Sequence, residues 1–182
     1  MLYGKAREFA ELSGKETVLD AYCGTGTIGI IASPLAKRVV GVELNADAVK
    51  DAKVNAALNG VDNIAFYEDD AGRFMVKEAQ KGAKYDVVIM DPPRAGASLD
   101  FLKCLVALSP KKVVYISCNP ETQARDVAFL VKNGYRVKKI QPVDMFPHTE
   151  HVETVVLLSR EKVDDYIRIS VHTKDLKASQ EQ

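Results

Sequence analysis

The 182-residue chain has no tryptophan, three cysteines, three histidines and no net charge, its 25 basic residues being matched by 25 acidic ones. Each shortage removes a class of protein. The cysteines, at 23, 104 and 118, are odd in number and widely spaced, which excludes a disulfide framework or a CxxC metal site and fits reduced thiols. Balanced charge gives no global pull toward a polyanion, so a nucleic-acid partner would need local basic residues or another domain. Lys111, Lys112, Arg125, Lys132, Arg136, Lys138 and Lys139 are the local candidates. No run reaches the ~18 apolar residues of a membrane helix. The opening segment carries Lys5, Arg7, Glu8, Glu11, Lys15 and Glu16, unlike a secretory signal. A soluble cytoplasmic monomer without a membrane partner is the expectation, and 47% hydrophobic residues suffice for one sizeable core.

What is present is β and α in alternation. The spacing predicts helices over 2–13, 27–35, 46–58, 71–80, 99–108 and 120–132, the last with Val127, Leu130 and Val131 as its apolar positions. Strands are predicted at 17–21, 38–42, 64–67, 86–90, 112–116, 135–143 and 152–159, with a short one possible at 166–171. Single helices between strands require right-handed parallel crossovers. The fold class is therefore α/β: a doubly wound, mostly parallel seven-stranded sheet whose last strand returns antiparallel. Residues 1–160 form one unit and 161–182 a polar tail.

In such sheets ligands bind beyond the carboxyl ends of the strands, and the polar residues gather there. Asp20-Ala21-Tyr22-Cys23-Gly24-Thr25-Gly26-Thr27-Ile28-Gly29 sets a GxGxxG between a strand and a helix, and Glu43 follows Gly24 by 19 residues, where a carboxylate can accept ribose hydroxyls. This nucleotide-site signal admits a dinucleotide or S-adenosylmethionine. Asp20, placed to meet a cationic aminoacyl group, and the acidic pair Asp69-Asp70 after strand 3 favour the second. Asp91-Pro92-Pro93-Arg94 ends strand 4, its prolines stiffening the exit and holding a carboxylate able to accept from a nucleobase N–H.

Ser117-Cys118-Asn119-Pro120 joins an apolar strand to a helix, with Asn119 as N-cap and Pro120 in the first helical position. A thiol beside a helix N-terminus sits in partial positive charge, which favours the nucleophilic thiolate. Phe146-Pro147-His148-Thr149-Glu150-His151-Val152-Glu153 clusters two histidines and two acids without a convincing third metal ligand. Glu153, entering an apolar strand, is instead a candidate base whose pKa desolvation would raise.

Taken together, DAYCGTGTIG, GVE, DPPRAG, SCNP and FPHTEHVE resemble the catalytic domain of the RNA uracil-5-methyltransferase family, whose members make 5-methyluridine in ribosomal or transfer RNA. The resemblance covers residues 1 to about 160 and implies a Rossmann-like methyltransferase using S-adenosylmethionine, with RNA, ribosomal first and transfer RNA second, as substrate. It makes Cys118 the nucleophile and Glu153 the base. It places Tyr22, Gly24, Gly26 and Thr27 around the cofactor, Glu43 on the ribose, Asp70 near the adenine and Asp91 at the target uracil, with Asp20 and Asp91 also on the cofactor side and Arg94 or Asn119 as donors to the pyrimidine. Family members usually add an N-terminal RNA-binding domain, a central domain and often a four-cysteine iron–sulfur cluster. None of these is in this chain, so weak to moderate cofactor binding, little RNA affinity and poor turnover are expected of it alone. Competing expectations are an NAD-dependent oxidoreductase, an exocyclic-amine methyltransferase, which would need no thiol, and a cofactor-binding RNA module without catalysis.

Overall fold

The computed structural model describes residues 2–145, 147–149 and 152–160. The possible strand at 166–171 and the tail fall outside them. Helices are α1 (Leu2–Ala10), α2 (Thr27–Ala32), α3 (Ala46–Leu58), α4 (Ala71–Gln80), α5 (Leu99–Leu108) and α6 (Pro120–Lys132). Strands are β1 (Thr17–Ala21), β2 (Arg38–Glu43), β3 (Ile64–Glu68), β4 (Val87–Met90), β5 (Lys112–Ser117), β6 (Tyr135–Val143) and β7 (Glu153–Arg160). Two helices are shorter than their spacing predicts. α2 tightens into a 3-10 turn over Ser33–Leu35, because Pro34 has no N–H for the α-helical ladder. α1 stops at Ala10, and Glu11 takes a left-handed φ of 48°.

The sheet order is β3-β2-β1-β4-β5-β7-β6. β1 through β5 pair in parallel, and β7 is antiparallel to both its neighbours. The chain winds outward from β1 to β3 and then returns to the other side of β1, so the topological switch lies between β1 and β4. That is where an open α/β sheet leaves its ligand crevice.

Successive residues of the central strands point to opposite faces, and both faces are apolar, as a sheet covered on both sides requires. Val18, Val39, Ile89, Val114, Ile116, Val155 and Leu157 pack with Leu2, Ala6 and Phe9 of α1 and Ile28 of α2. Leu19, Val40, Val88, Met90, Val113, Tyr115 and Leu158 pack with Phe74 and Met75 of α4, Phe101 and Leu105 of α5 and Leu130 of α6. α6 corrects its expected face. It buries Gln123, Asp126 and Leu130, while Val131 is exposed.

Candidate active site

β1 ends in a turn that only small residues tolerate. Gly24 and Gly26 have φ of 50° and 84°, and a Cβ on Gly26 would stand 2.7 Å from the Phe66 ring. Tyr22 between them and the strand also takes a positive φ, 63°, and its ring lies 5.0 Å from that of Phe101. Burial and the charges of Asp70 and Asp126 push the Tyr22 phenol well up, so it stays neutral. Glu43, closing β2, accepts from Gly24 N at 3.1 Å and Asn45 N at 2.9 Å, fixing its carboxylate over the turn. Asp70 caps α4 by accepting from Arg73 N at 2.9 Å. Tyr22, Glu43, Asp69, Asp70 and Asp91 line one cleft of about 410 Å³, within the size range of small-ligand sites.

Two expected cofactor residues are placed differently from the rest. Thr27 begins α2 and is exposed. Asp20 does not lie open in the crevice. It is fully buried beneath the glycine turn, Oδ2 accepting from Gly29 N at 2.8 Å and Oδ1 unpartnered among the described residues. Burial, then the charges of Asp91 and Glu43, push it up to about 7 against the pull of the Gly29 bond. A buried acceptor without a donor is costly, and a cationic group arriving at Oδ1 would satisfy it. The cleft, the glycine turn and that orphaned oxygen together fit a nucleoside carrying an ammonium.

The second half of the site is built on β4, β5 and β7. Asp91 follows the last residue of β4, and burial, reinforced by the charge of Glu153, pushes it up to about 6. Beyond it the Pro92–Ala97 loop is pinned to α6. Arg94 O accepts from Asn119 Nδ2 at 3.3 Å and Thr122 Oγ1 at 3.1 Å, and Asp126 Oδ2 accepts from Ala97 N and the Tyr115 hydroxyl, both at 2.8 Å. Asn119 is thereby engaged at both ends of its amide, since Oδ1 accepts from Glu121 N at 3.1 Å. Arg94 is exposed, its carbonyl being the part held.

Cys118 sits at the apex of a turn held by Ser117, whose Oγ accepts from Asn119 N at 3.0 Å and donates to Asn119 O at 3.1 Å. Opposite, β7 begins at Glu153. The β5–β7 ladder ends at Ser117 paired with Thr154, and one further step of that antiparallel register sets Cys118 across from Glu153. Burial raises the Glu153 carboxyl above the ordinary range. Cys118 is half-buried and all three cysteines are free. His151 lies outside the described residues, and no cluster of three His, Cys, Asp or Glu able to hold a metal occurs among the described ones. Four of the expected basic residues are engaged in ion pairs. Lys111 and Lys112, at the amino end of β5, pair with Asp86 and Glu11, Lys139 also pairs with Glu11, and Arg125 pairs with Asp126. No described helix is long and apolar enough to cross a membrane.

Spacing arguments missed Gln123, Thr122 and Asp126. The available signal was a polar pair, Gln123 and Asp126, occupying the i and i+3 positions of a helical face that should have been apolar.

Sheet order, glycine turn and carboxylate-lined cleft define the class: a Rossmann-like methyltransferase fold. An rRNA methylase from Streptococcus thermophilus has the same fold at 13% identity, with a TM-score of 0.71 over 89% of this chain and 98% of that one. More particularly, the chain belongs to the tRNA (uracil-5-)-methyltransferase family, whose model matches residues 5–161. It is 47% identical over 159 residues to an uncharacterized RNA methyltransferase of Clostridium tetani, covering 87% of this chain and 35% of that protein. It is also similar to the Pyrococcus abyssi tRNA (uracil-54, C5)-methyltransferase, solved with S-adenosyl-L-homocysteine. There identity is 40%, the TM-score 0.73, and coverage 85% of this chain and 37% of the other. The chain thus spans about a third of the length of these relatives.

Proposed function

We propose that this chain is the catalytic domain of an S-adenosylmethionine-dependent enzyme that methylates C5 of a uridine in RNA through a covalent Cys118–C6 adduct. The register that sets Cys118 across from Glu153, beside Asp91, carries the reading. The cleft between Tyr22, Glu43 and Asp70 would hold the cofactor, with Glu43 on the ribose, Asp70 toward the adenine and Asp20 Oδ1 as acceptor for the ammonium. Bound there, S-adenosylmethionine supplies an electrophilic methyl group on a sulfonium.

C5 of uracil is a poor nucleophile. Addition of the Cys118 thiolate to C6 breaks the C5=C6 double bond and moves its electrons toward O4, making C5 enolate-like. C5 then takes the methyl group. Glu153 accepts the C5 proton, the electron pair of that bond re-forms C5=C6, and the C6–sulfur bond breaks to return the thiolate. Asp91 is placed to accept from the pyrimidine N3–H. The target base must leave any stack to reach the three residues.

Ribosomal RNA is the substrate we infer first. Transfer RNA is the second reading, favoured by the activity named for the 40% identical archaeal relative. RNA selection rests largely on parts of the relatives outside the third that this chain matches. The reaction is tested by incubating the intact protein with S-adenosylmethionine and RNA containing 5-fluorouracil, because fluorine at C5 cannot leave as a proton. A complex of protein and RNA that survives denaturation is expected, and is lost in Cys118→Ala. Absence of the complex from a protein that methylates uridine overturns the covalent route.

A further inference from the structure

Asp91 and Glu153 share the rim of the crevice. Both are desolvated, the charge of Glu153 works against that of Asp91, and no cation is among the groups that act on either. Glu153 can act as a base only as the carboxylate, the form that burial disfavours. A proton donor between the two would resolve the conflict.

Tyr3 reaches this place from the far end of the sequence. α1 runs antiparallel to β5: Lys112, the first residue of β5, donates to Ala10 O at 3.3 Å and pairs with Glu11 at 2.9 Å, which fixes the C-terminal end of the helix at the amino end of the strand. Lys139 of β6 holds the same Glu11 at 2.8 Å and stands over the Phe9 ring. At about 1.5 Å per residue the helix carries its first turn back to the carboxyl ends of the strands. There Leu2 is buried, and Tyr3 packs half-buried, in the cluster containing Ile89, Ile116, Val143 and Val155. These four frame the reactive residues. Ile89 lies two before Asp91, Ile116 two before Cys118 and Val155 two after Glu153, while Val143 pairs with Glu153. Burial and the charges of Asp91, Glu153 and Asp20 raise the Tyr3 phenol, so it remains protonated. Its hydroxyl makes no hydrogen bond to the described residues and is not among their buried unpartnered atoms, so it stays accessible and free to donate.

We propose that Tyr3 is the positioning residue of the carboxylate pair, its hydroxyl donating between Asp91 and Glu153 and holding Glu153 in the charged form that removes the C5 proton. This deepens the methyltransferase reading and rests on it. A hydrogen bond to the charged form lowers a carboxyl pKa. The other titratable groups about the pair are Asp20 beneath it, Cys118 at the end of β5, and Asp144 and His148 in the connection that follows Val143.

Tyr3→Phe keeps the ring in its apolar cluster and removes only the hydroxyl. In the intact protein, kcat is expected to fall about 10-fold at neutral pH, with KM for RNA and S-adenosylmethionine within about two-fold of wild type. The acid limb of the kcat profile should move up by about one pH unit. Capture of 5-fluorouracil RNA should proceed at the wild-type rate, because the adduct forms before the base acts. An unmoved limb, a loss carried by KM, or slowed capture overturns the role of Tyr3. The two readings fail separately. If wild type neither methylates nor captures RNA, the reaction itself is wrong; if wild type is active and Tyr3→Phe matches it, only the assignment of Tyr3 falls.

Discussion

The side-chain amide of Gln123 donates to Thr154 O at 3.1 Å and, with its other hydrogen, to Tyr115 O at 3.0 Å. One buried amide therefore ties the first turn of the helix after Cys118 to the strand that begins at Glu153, which makes the spacing of thiol and carboxylate a property of the protein interior. Gln123→Ala leaves the lateral hydrogen-bonding capacity of two interior carbonyls unmet and opens a small cavity. It should lower stability by about 2–3 kcal/mol, measured by urea denaturation, and reduce kcat while leaving cofactor affinity, determined by calorimetry, close to wild type. Equal losses of cofactor binding and turnover would count against this division between the two halves of the site.

Gly26→Ala introduces two faults, a left-handed φ of 84° on a residue with a Cβ and a contact of 2.7 Å with Phe66. A loss of about 2–4 kcal/mol is expected. Phe66→Leu in the same chain should relieve the contact and leave the backbone penalty of about 1 kcal/mol. A double-mutant cycle in thermal unfolding checks this, and strictly additive effects would contradict the contact.

Asp20 gives a pH dependence of known sign. Its folded-state value, about 7, lies above the ordinary 3.8, so its contribution to stability is fully present below pH ~4 and is lost as pH rises through ~7. Asp20→Asn escapes that loss and keeps an acceptor for Gly29. Its stability relative to wild type should grow from near zero at pH ~3 to a ceiling of about 4 kcal/mol at pH ~8. At the same time its affinity for S-adenosylmethionine should fall. A stability difference that stays constant across this range would show that Asp20 is not a buried acid.

Glu153→Gln separates the chemical steps. Thiol addition and methyl transfer remain possible while proton removal does not, so RNA containing ordinary uridine should accumulate as a denaturation-resistant complex, visible by gel electrophoresis. Because burial raises this carboxyl, the acid limb of wild-type turnover should lie above the usual glutamate range. Rapid turnover by Glu153→Gln without accumulation would assign the base elsewhere.

Much of the architecture was legible because the central strands are short apolar runs between turn residues and four of the helices carry side-chain caps, at Asn45, Asp70, Ser98 and Asn119. The insertion of β7 between β5 and β6 was not, since pairing order depends on contacts remote in sequence. The positions of the glycine turn, Glu43, Asp91, Cys118 and Glu153 along one edge of the sheet were readable because each stands at the end of a strand. Asp20 was read as a carboxylate offered to a cationic group, and its full burial beneath the glycine turn, with one oxygen on Gly29 N, was not legible because it depends on the loop that covers it. Gln123 and Asp126 escaped notice because burial of a polar side chain depends on partners elsewhere, here Thr154, Tyr115 and Ala97.

The interior position of β7 also sets a temporal order. β7 emerges after both of the strands it lies between, and until it takes its place Glu153 is not set across from Cys118. A polypeptide lacking β7 would keep Tyr22, Glu43 and Asp70, which line the cleft, and lack the carboxylate on which the proposed proton removal depends.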